Sequence, residues 1–150
     1  MKVLFDTSVI VAAHLPSHCD YQNCRLWLER GKQNAFEFVV AAHTLLETFS
    51  VLTRFPLTPR ITPAVAFQFI ESNVLSTAKV ISLTAEDYQD LLRDLAVNGI
   101  SGGMVYDSLI VRAAELSQVD VVLTLNLKHF ERSWPTNISK LKSPAVFTPP

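Results

Sequence analysis

The strongest constraint on the fold is an alternation. Short apolar runs rich in β-branched and aromatic residues are each followed by a longer stretch with helical periodicity. "KVLF" (2–5), "FEFVV" (36–40), "AKVIS" (78–82), "DVVLT" (120–124) and "PAVF" (144–147) read as strands. They lack clean apolar–polar alternation, which points to strands covered on both faces. Between them, "DYQNCRLWLERG" (20–31) reads as a helix ending on glycine, and "AHTLLETFSVLTRF" (42–55) as one stopping before Pro56. "TPAVAFQFIESN" (62–73) starts with Thr62 as N-cap and Pro63 at the first helical position. "TAEDYQDLLRDLAVNG" (84–99) opens on Thr84 with acids in its first turn, and "GMVYDSLIVRAAELSQ" (103–118) follows a Gly102–Gly103 pair. Strands alternating with helices predict an α/β fold, a mostly parallel sheet sandwiched by helices. In such sheets, ligands bind outside the carboxyl ends of the strands, at the point where strand order reverses.

Composition agrees. Hydrophobic residues make up 49% and charged residues 18% of 150, which excludes disorder and allows one domain over 1–150. No apolar run is long enough to cross a bilayer, because Asp6 interrupts the first and Asp120 precedes the last. The opening "MKVLFDTSVIVAAHL" superficially resembles a secretory leader. Asp6 inside the apolar segment and the lack of a small-residue cleavage site make it a buried first strand, so a cytoplasmic protein is expected. Cys19 and Cys24 form no disulfide framework. With His14 and His18 they make "HLPSHCDYQNC", whose spacing suits zinc poorly, since Pro16 breaks any helix carrying both histidines. The plainer reading packs Cys24 beside Trp27 and Leu28 and leaves the histidines in a loop. Net charge is −1, so no global basic balance marks a phosphate binder, although Lys128, His129, Arg132, Lys140 and Lys142 gather late in the chain. An ordinary solvated surface explains such a cluster equally well.

The informative acids stand at strand ends. Asp6 directly follows "KVLF" and precedes two hydroxyls in "DTS"; it is either a simple N-cap or a site residue, with little to choose between them. Glu47 lies in the first turns of the helix after "FEFVV", where an exposed glutamate on a polar stripe is the commoner fate. Asp107 has no such explanation. Met104, Ile110, Val111 and Ala114 surround it at helical spacing, and Arg112, five positions on, faces elsewhere. The helix dipole does not compensate burial of a charge, so an external cation is the economical account. Asn126, in "TLN" after the fourth strand, is either a turn residue or a fourth member of the group. All four belong to one edge of a parallel sheet. Three carboxylates and an amide there call for a hard divalent cation, Mg²⁺ or Mn²⁺, which also binds phosphate oxygens and activates water.

These residues resemble those of the PIN-domain family of metal-dependent ribonucleases, and particularly its VapC-type toxins. The resemblance rests on "VLFDTSVIVA", "HTLLETFSVLTR", "YDSLIVRAAE" and "VLTLNLKHF", in that order over nearly the whole chain. It implies a three-layer α/β/α sandwich with about five parallel strands. It further implies a Mg²⁺ or Mn²⁺ site, an RNA substrate, a small antitoxin partner and usually a homodimer. By family motif Asp6, Glu47 and Asp107 are the catalytic, metal-ligating acids, with Ser8 and Thr124 as supporting hydroxyls. Asn126 stands where many members carry a fourth acid. An amide oxygen ligates without charge, which favours one bound cation, with any second recruited alongside RNA. Lys128, His129 and Arg132 become candidate RNA contacts, and "TPAVAFQFIESN" a candidate dimer face. The alternatives are a housekeeping nuclease of the same family, a haloacid-dehalogenase-like phosphatase and a non-catalytic module. The phosphatase needs a second acid two residues after the first, where this chain has Ser8. No G-x-G-x-x-G follows the first strand, which disfavours a dehydrogenase.

Overall fold

In the computed structural model, which describes residues 1–150, β1 (Lys2–Phe5) lies in the middle of a five-stranded sheet. β2 (Glu37–Ala41) and β4 (Val121–Leu123) flank it, with β3 (Lys79–Ile81) and β5 (Leu141–Lys142) at the edges, in the order β3-β2-β1-β4-β5. Every pairing is parallel, with Val3 opposite both Phe38 and Val121. The chain builds outward from β1 through β2 to β3, then returns to the other side of β1 as β4. The switch point therefore falls between β1 and β4, and the residues leaving their carboxyl ends flank one crevice.

The two-residue period of the strands divides the core into two layers. Val3, Phe5, Phe38, Val40, Val121 and Leu123 pack with α1 (Thr7–Ala12) and α2 (Tyr21–Lys32). Leu4, Val39, Ala41, Val122 and Leu141 pack with α5 (Ala85–Val97), α6 (Met104–Ser117) and α7 (Leu127–Ser133). Trp27 anchors the first layer, edge-on to Phe5 and fully buried, and its Nε1–H donates to the Phe147 carbonyl at 3.0 Å. A third, smaller cluster of Val11, Leu15, Leu52 and Ala66 seats α3 (Ala42–Arg54) against α1 and α4 (Pro63–Ile70). Thus the sheet fixes α1, α1 fixes α3, and α3 carries Glu47. No helix is long and apolar enough to cross a membrane.

Local signals hold where they are capping signals. Thr62 accepts from the Val65 N–H, and Thr84 and Asp87 form a reciprocal capping box. Three readings need correction. The fifth strand is Leu141–Lys142, not 144–147. Pro144 lacks the N–H a ladder uses, and Val146 is 89% exposed, whereas Leu141 enters the core. Gly31 does not end α2, which runs on to Lys32; a Cβ there would meet the Phe38 ring at 3.3 Å, so glycine permits close helix–strand approach. His14 does lie in the turn after α1, but not as a solvated loop residue. It is buried, donating from Nδ1 to the Ile10 carbonyl (2.7 Å) and accepting from Asn73 Nδ2 at Nε2 (3.2 Å). Asn73 lies on a π-helical turn, Glu71–Leu75, that continues α4. Burial holds the His14 pKa below the ordinary histidine value, consistent with that neutral bridging role.

Candidate active site

Asp6 occupies the N-cap position of α1 yet makes no side-chain cap bond. Its carboxylate instead turns into the β1/β4 crevice, 3% exposed, where Oδ2 accepts from Ser8 Oγ (2.5 Å) and Thr124 Oγ1 (2.8 Å). Ser8 Oγ and Thr124 Oγ1 also accept from the backbone N–H groups of Leu125 (3.1 Å) and Asn126 (2.9 Å). The two hydroxyls therefore tie the β4 exit loop to the β1 carboxylate. Burial raises the Asp6 pKa, opposed by the Ser8 and Thr124 donations and reinforced by the charge of Glu47.

Glu47, one and a half turns into α3, accepts from Thr7 Oγ1 at 2.5 Å, and His43 Nε2 lies 3.7 Å from it on the preceding turn. Asp107, in the first turn of α6, has a side chain 14% exposed and a pKa raised to about 6. Burial is the largest cause, with the charges of Asp6 and Glu47 adding to it and His129 opposing. His129, on α7, lies 3.6 Å from Asp107 Oδ2 and is the partner that the pattern along α6 could not reveal. Arg112 faces away, toward Asp87 and Glu115. Asn126 stands at the N-cap position of α7 and, like Asp6, makes no cap bond with its side chain.

The fold brings Asp6, Ser8, Glu47, Asp107 and Asn126 to the wall of one cleft of about 380 Å³. Thr124 is fully buried behind it. No lysine or arginine lines this cleft, so mutually repelling carboxylates face each other without a fixed cation. Their oxygen-only donor set fits a hard divalent ion. His18 and Asp20 also line the cleft; the sequence reading left His18 in a loop and did not single out Asp20. They come from the α1–α2 loop, whose path back over the cleft has no local signature. His18, Cys19 and Asp20 bring their ligand atoms within 4.8 Å of one another, whereas buried Cys24 and His14 stand apart in the core. Cys24 packs with Trp27 and Leu28 as expected. Of the late basic residues, Lys128 and His129 line a depression continuous with the acidic cleft, and Arg132 is exposed on α7. Lys140 and Lys142 are engaged elsewhere, over Trp134 and Phe147.

A switch-point cleft where Asp6 at the end of β1, Glu47 of α3 and Asp107 of α6 meet narrows the class, and comparison with known proteins settles it. The PIN domain family matches residues 3–133, and the chain belongs to that family. Among its relatives is ribonuclease VapC40 of Mycobacterium tuberculosis, 31% identical over 126 residues, covering 84% of this chain and 87% of that protein. Ribonuclease VapC27 of the same organism is 33% identical over 109 residues, covering 73% and 74%. Among solved structures, Mycobacterium tuberculosis VapC20, described as a Sarcin-Ricin loop cleaving toxin, superposes with a TM-score of 0.63 over 80% of this chain and 86% of that one. At 15% identity that likeness is one of fold: the central parallel sheet covered by helices.

Proposed function

We propose that this chain is a divalent-metal-dependent ribonuclease and the toxin of a type II toxin–antitoxin pair. One observation carries the reading: carboxylates from three separate elements line a single cleft that contains no lysine or arginine. The VapC ribonucleases to which the chain is similar support the RNA substrate and the toxin role.

Asp6 and Asp107 would hold Mg²⁺ or Mn²⁺, with Glu47 and the Asn126 amide sharing it. When bound, such an ion lowers the pKa of water and neutralises charge on a phosphodiester. The chain's own residues do the rest. Ser8 and Thr124 fix the Asp6 carboxylate by donating to one oxygen, and Thr7 fixes Glu47 likewise. Glu47 orients the attacking water and accepts its proton. The water oxygen bonds to phosphorus as the bond to the leaving ribose oxygen breaks in line, and that oxygen takes a proton from solvent. Lys128 and Arg132 on α7 contribute positive charge toward the RNA backbone, and His129, beside Asp107 on the rim, offers a ring nitrogen to it.

A cytoplasmic location, a homodimer and a small protein antitoxin complete the reading. The α4 face, where Phe67 is 52% exposed, is the candidate dimer surface. The test is cleavage of RNA by purified, metal-stripped protein. Adding Mg²⁺ or Mn²⁺ is expected to start cleavage, and Asp6→Asn to abolish it. Equal cleavage by wild type and Asp6→Asn would sink the assignment.

A further inference from the structure

The acidic cleft is the middle of a longer groove. Leu125 and Asn126 are shared with the depression lined by Lys128 and His129, and Glu47 is shared with a second depression on the opposite side. That second depression is lined by His43, Leu46, Ser50, Arg54 and Tyr106 as well as Glu47. Its wall is unusual. The rings of His43 and Tyr106 lie parallel, 4.9 Å between centroids at 0°, although they come from different helices. Tyr106 is 49% exposed, so His43 supports the tyrosine ring from behind while much of it faces solvent. His43 Nε2 is buried without a hydrogen-bond partner and lies 3.7 Å from the Glu47 carboxylate. Arg54, on the same face of α3, is exposed and pairs with no carboxylate; its only bond is from Nε to the Ser50 carbonyl at 3.2 Å.

We infer that the His43–Tyr106 pair is a stacking platform for one unpaired nucleobase of the RNA, next to the scissile phosphate, with Arg54 taking a neighbouring phosphate. This rests on the ribonuclease reading above and deepens it by naming the residues that hold a base beside the scissile phosphate. The chemistry is that of strand-tracking nucleic-acid grooves, in which an open aromatic face holds a base and a flanking cation holds the backbone. An exposed tyrosine buttressed by a second ring is already ordered, so little side-chain freedom is lost when a base stacks on it. Its position also links binding to chemistry. Tyr106 immediately precedes Asp107, and His43 lies one turn before Glu47, so a base held there brings the neighbouring backbone to the cleft. On the other side, Lys128 and His129 receive the continuing backbone.

The test uses the whole chain with Ca²⁺ in place of Mg²⁺ and a short fluorescein-labelled single-stranded oligoribonucleotide of mixed sequence, with its duplex as control. Tyr106→Leu is expected to weaken single-strand binding about 10-fold, the loss typical of one stacked base. Tyr106→Phe should bind like wild type, and the duplex should be indifferent to both. In Mg²⁺, Tyr106→Leu should raise KM with little change in kcat, and its Mn²⁺ affinity by calorimetry should match wild type. Arg54→Gln should reduce the salt dependence of binding by about one charge, a readout independent of how Tyr106→Leu folds. If wild type cleaves RNA and Tyr106→Leu binds the single strand as tightly as wild type, the platform is overturned and the ribonuclease reading stands. If wild type neither binds nor cleaves RNA, both fall. If Tyr106→Leu loses binding to the protein encoded beside it but not to RNA, this face is a protein contact and the platform is again overturned.

Discussion

Asp107→Asn separates a functional carboxylate from a structural one, because the two roles predict opposite changes in stability. The folded-state pKa of Asp107 is raised from 3.8 to about 6, chiefly by burial and then by the neighbouring Asp6 charge. A raised carboxyl pKa means that the folded chain binds the proton more tightly than the unfolded one. Its effect on stability is therefore nil below about pH 4 and grows as pH rises through 6. A shift of about two units corresponds to ~3 kcal/mol of destabilisation at neutral pH. Asparagine has nearly the same volume and no charge, and it also relieves Asp6 and Glu47 of a repelling neighbour. The metal-free Asp107→Asn protein should thus be more stable than wild type by ~1–3 kcal/mol at pH 7.5, allowing for amide hydrogen bonds left unmade. At pH 4 the difference should vanish. Saturating Mg²⁺ should narrow or reverse the neutral-pH order, since a ligand at a hundred times its Kd adds about 2.7 kcal/mol to the form that binds it. Urea unfolding followed by the fluorescence of the buried Trp27 and Trp134 measures all of this. A variant less stable than metal-free wild type at pH 7.5 would refute the reasoning: the His129 contact would then outweigh the repulsion, and Asp107 would be a structural ion-pair partner.

Other perturbations test separate links. Thr124→Val removes a buried donor from Asp6 and is expected to cost ~1–3 kcal/mol of stability and to weaken metal binding, as read by unfolding and calorimetry. Asn126→Asp adds a carboxylate beside Asp6, Glu47 and Asp107 and should tighten Mn²⁺ binding in calorimetric titration; unchanged affinity would place the Asn126 side chain outside the metal's reach. Trp27→Ala should cost ~3–5 kcal/mol, measured by urea unfolding, because Trp27 is fully buried among Phe5, Phe36 and Phe147. The Cys24 thiol is pushed up to about 12 by burial, so a thiol reagent should label exposed Cys19 and leave Cys24 unreacted until the protein unfolds.

What the sequence made legible follows from how local each cause was. Strand–helix alternation foretold the parallel sheet, and β1 through β4 fall within a residue or two of their apolar runs. The Thr62 and Thr84 caps were equally readable, since a cap is decided within four residues. "PAVF" misled because its apolar content serves a tertiary contact, Phe147 stacking on Trp27, and not a ladder. Asp107 stood out because nothing within a turn could compensate it, but its neighbour His129 lies on α7, which packs across from the far end of the chain. His18, Asp20 and the His43–Tyr106 pair were invisible for the same reason: their meeting depends on how loops and helices cross above the sheet. Asp6 could be read as a cap and Asn126 as a turn residue, and only the structure reveals that both stand at N-cap positions with side chains that make no cap bond.

The central claim is that the cleft carboxylates hold the metal that hydrolyses RNA. A crystal grown with Mn²⁺ and measured for anomalous scattering tests it most directly. The account predicts a peak within direct-ligation distance of Asp6 and Asp107 oxygens, as for a hard oxygen-ligated cation. A peak on His18, Cys19 and Asp20 instead, with none on Asp6 and Asp107, would contradict it.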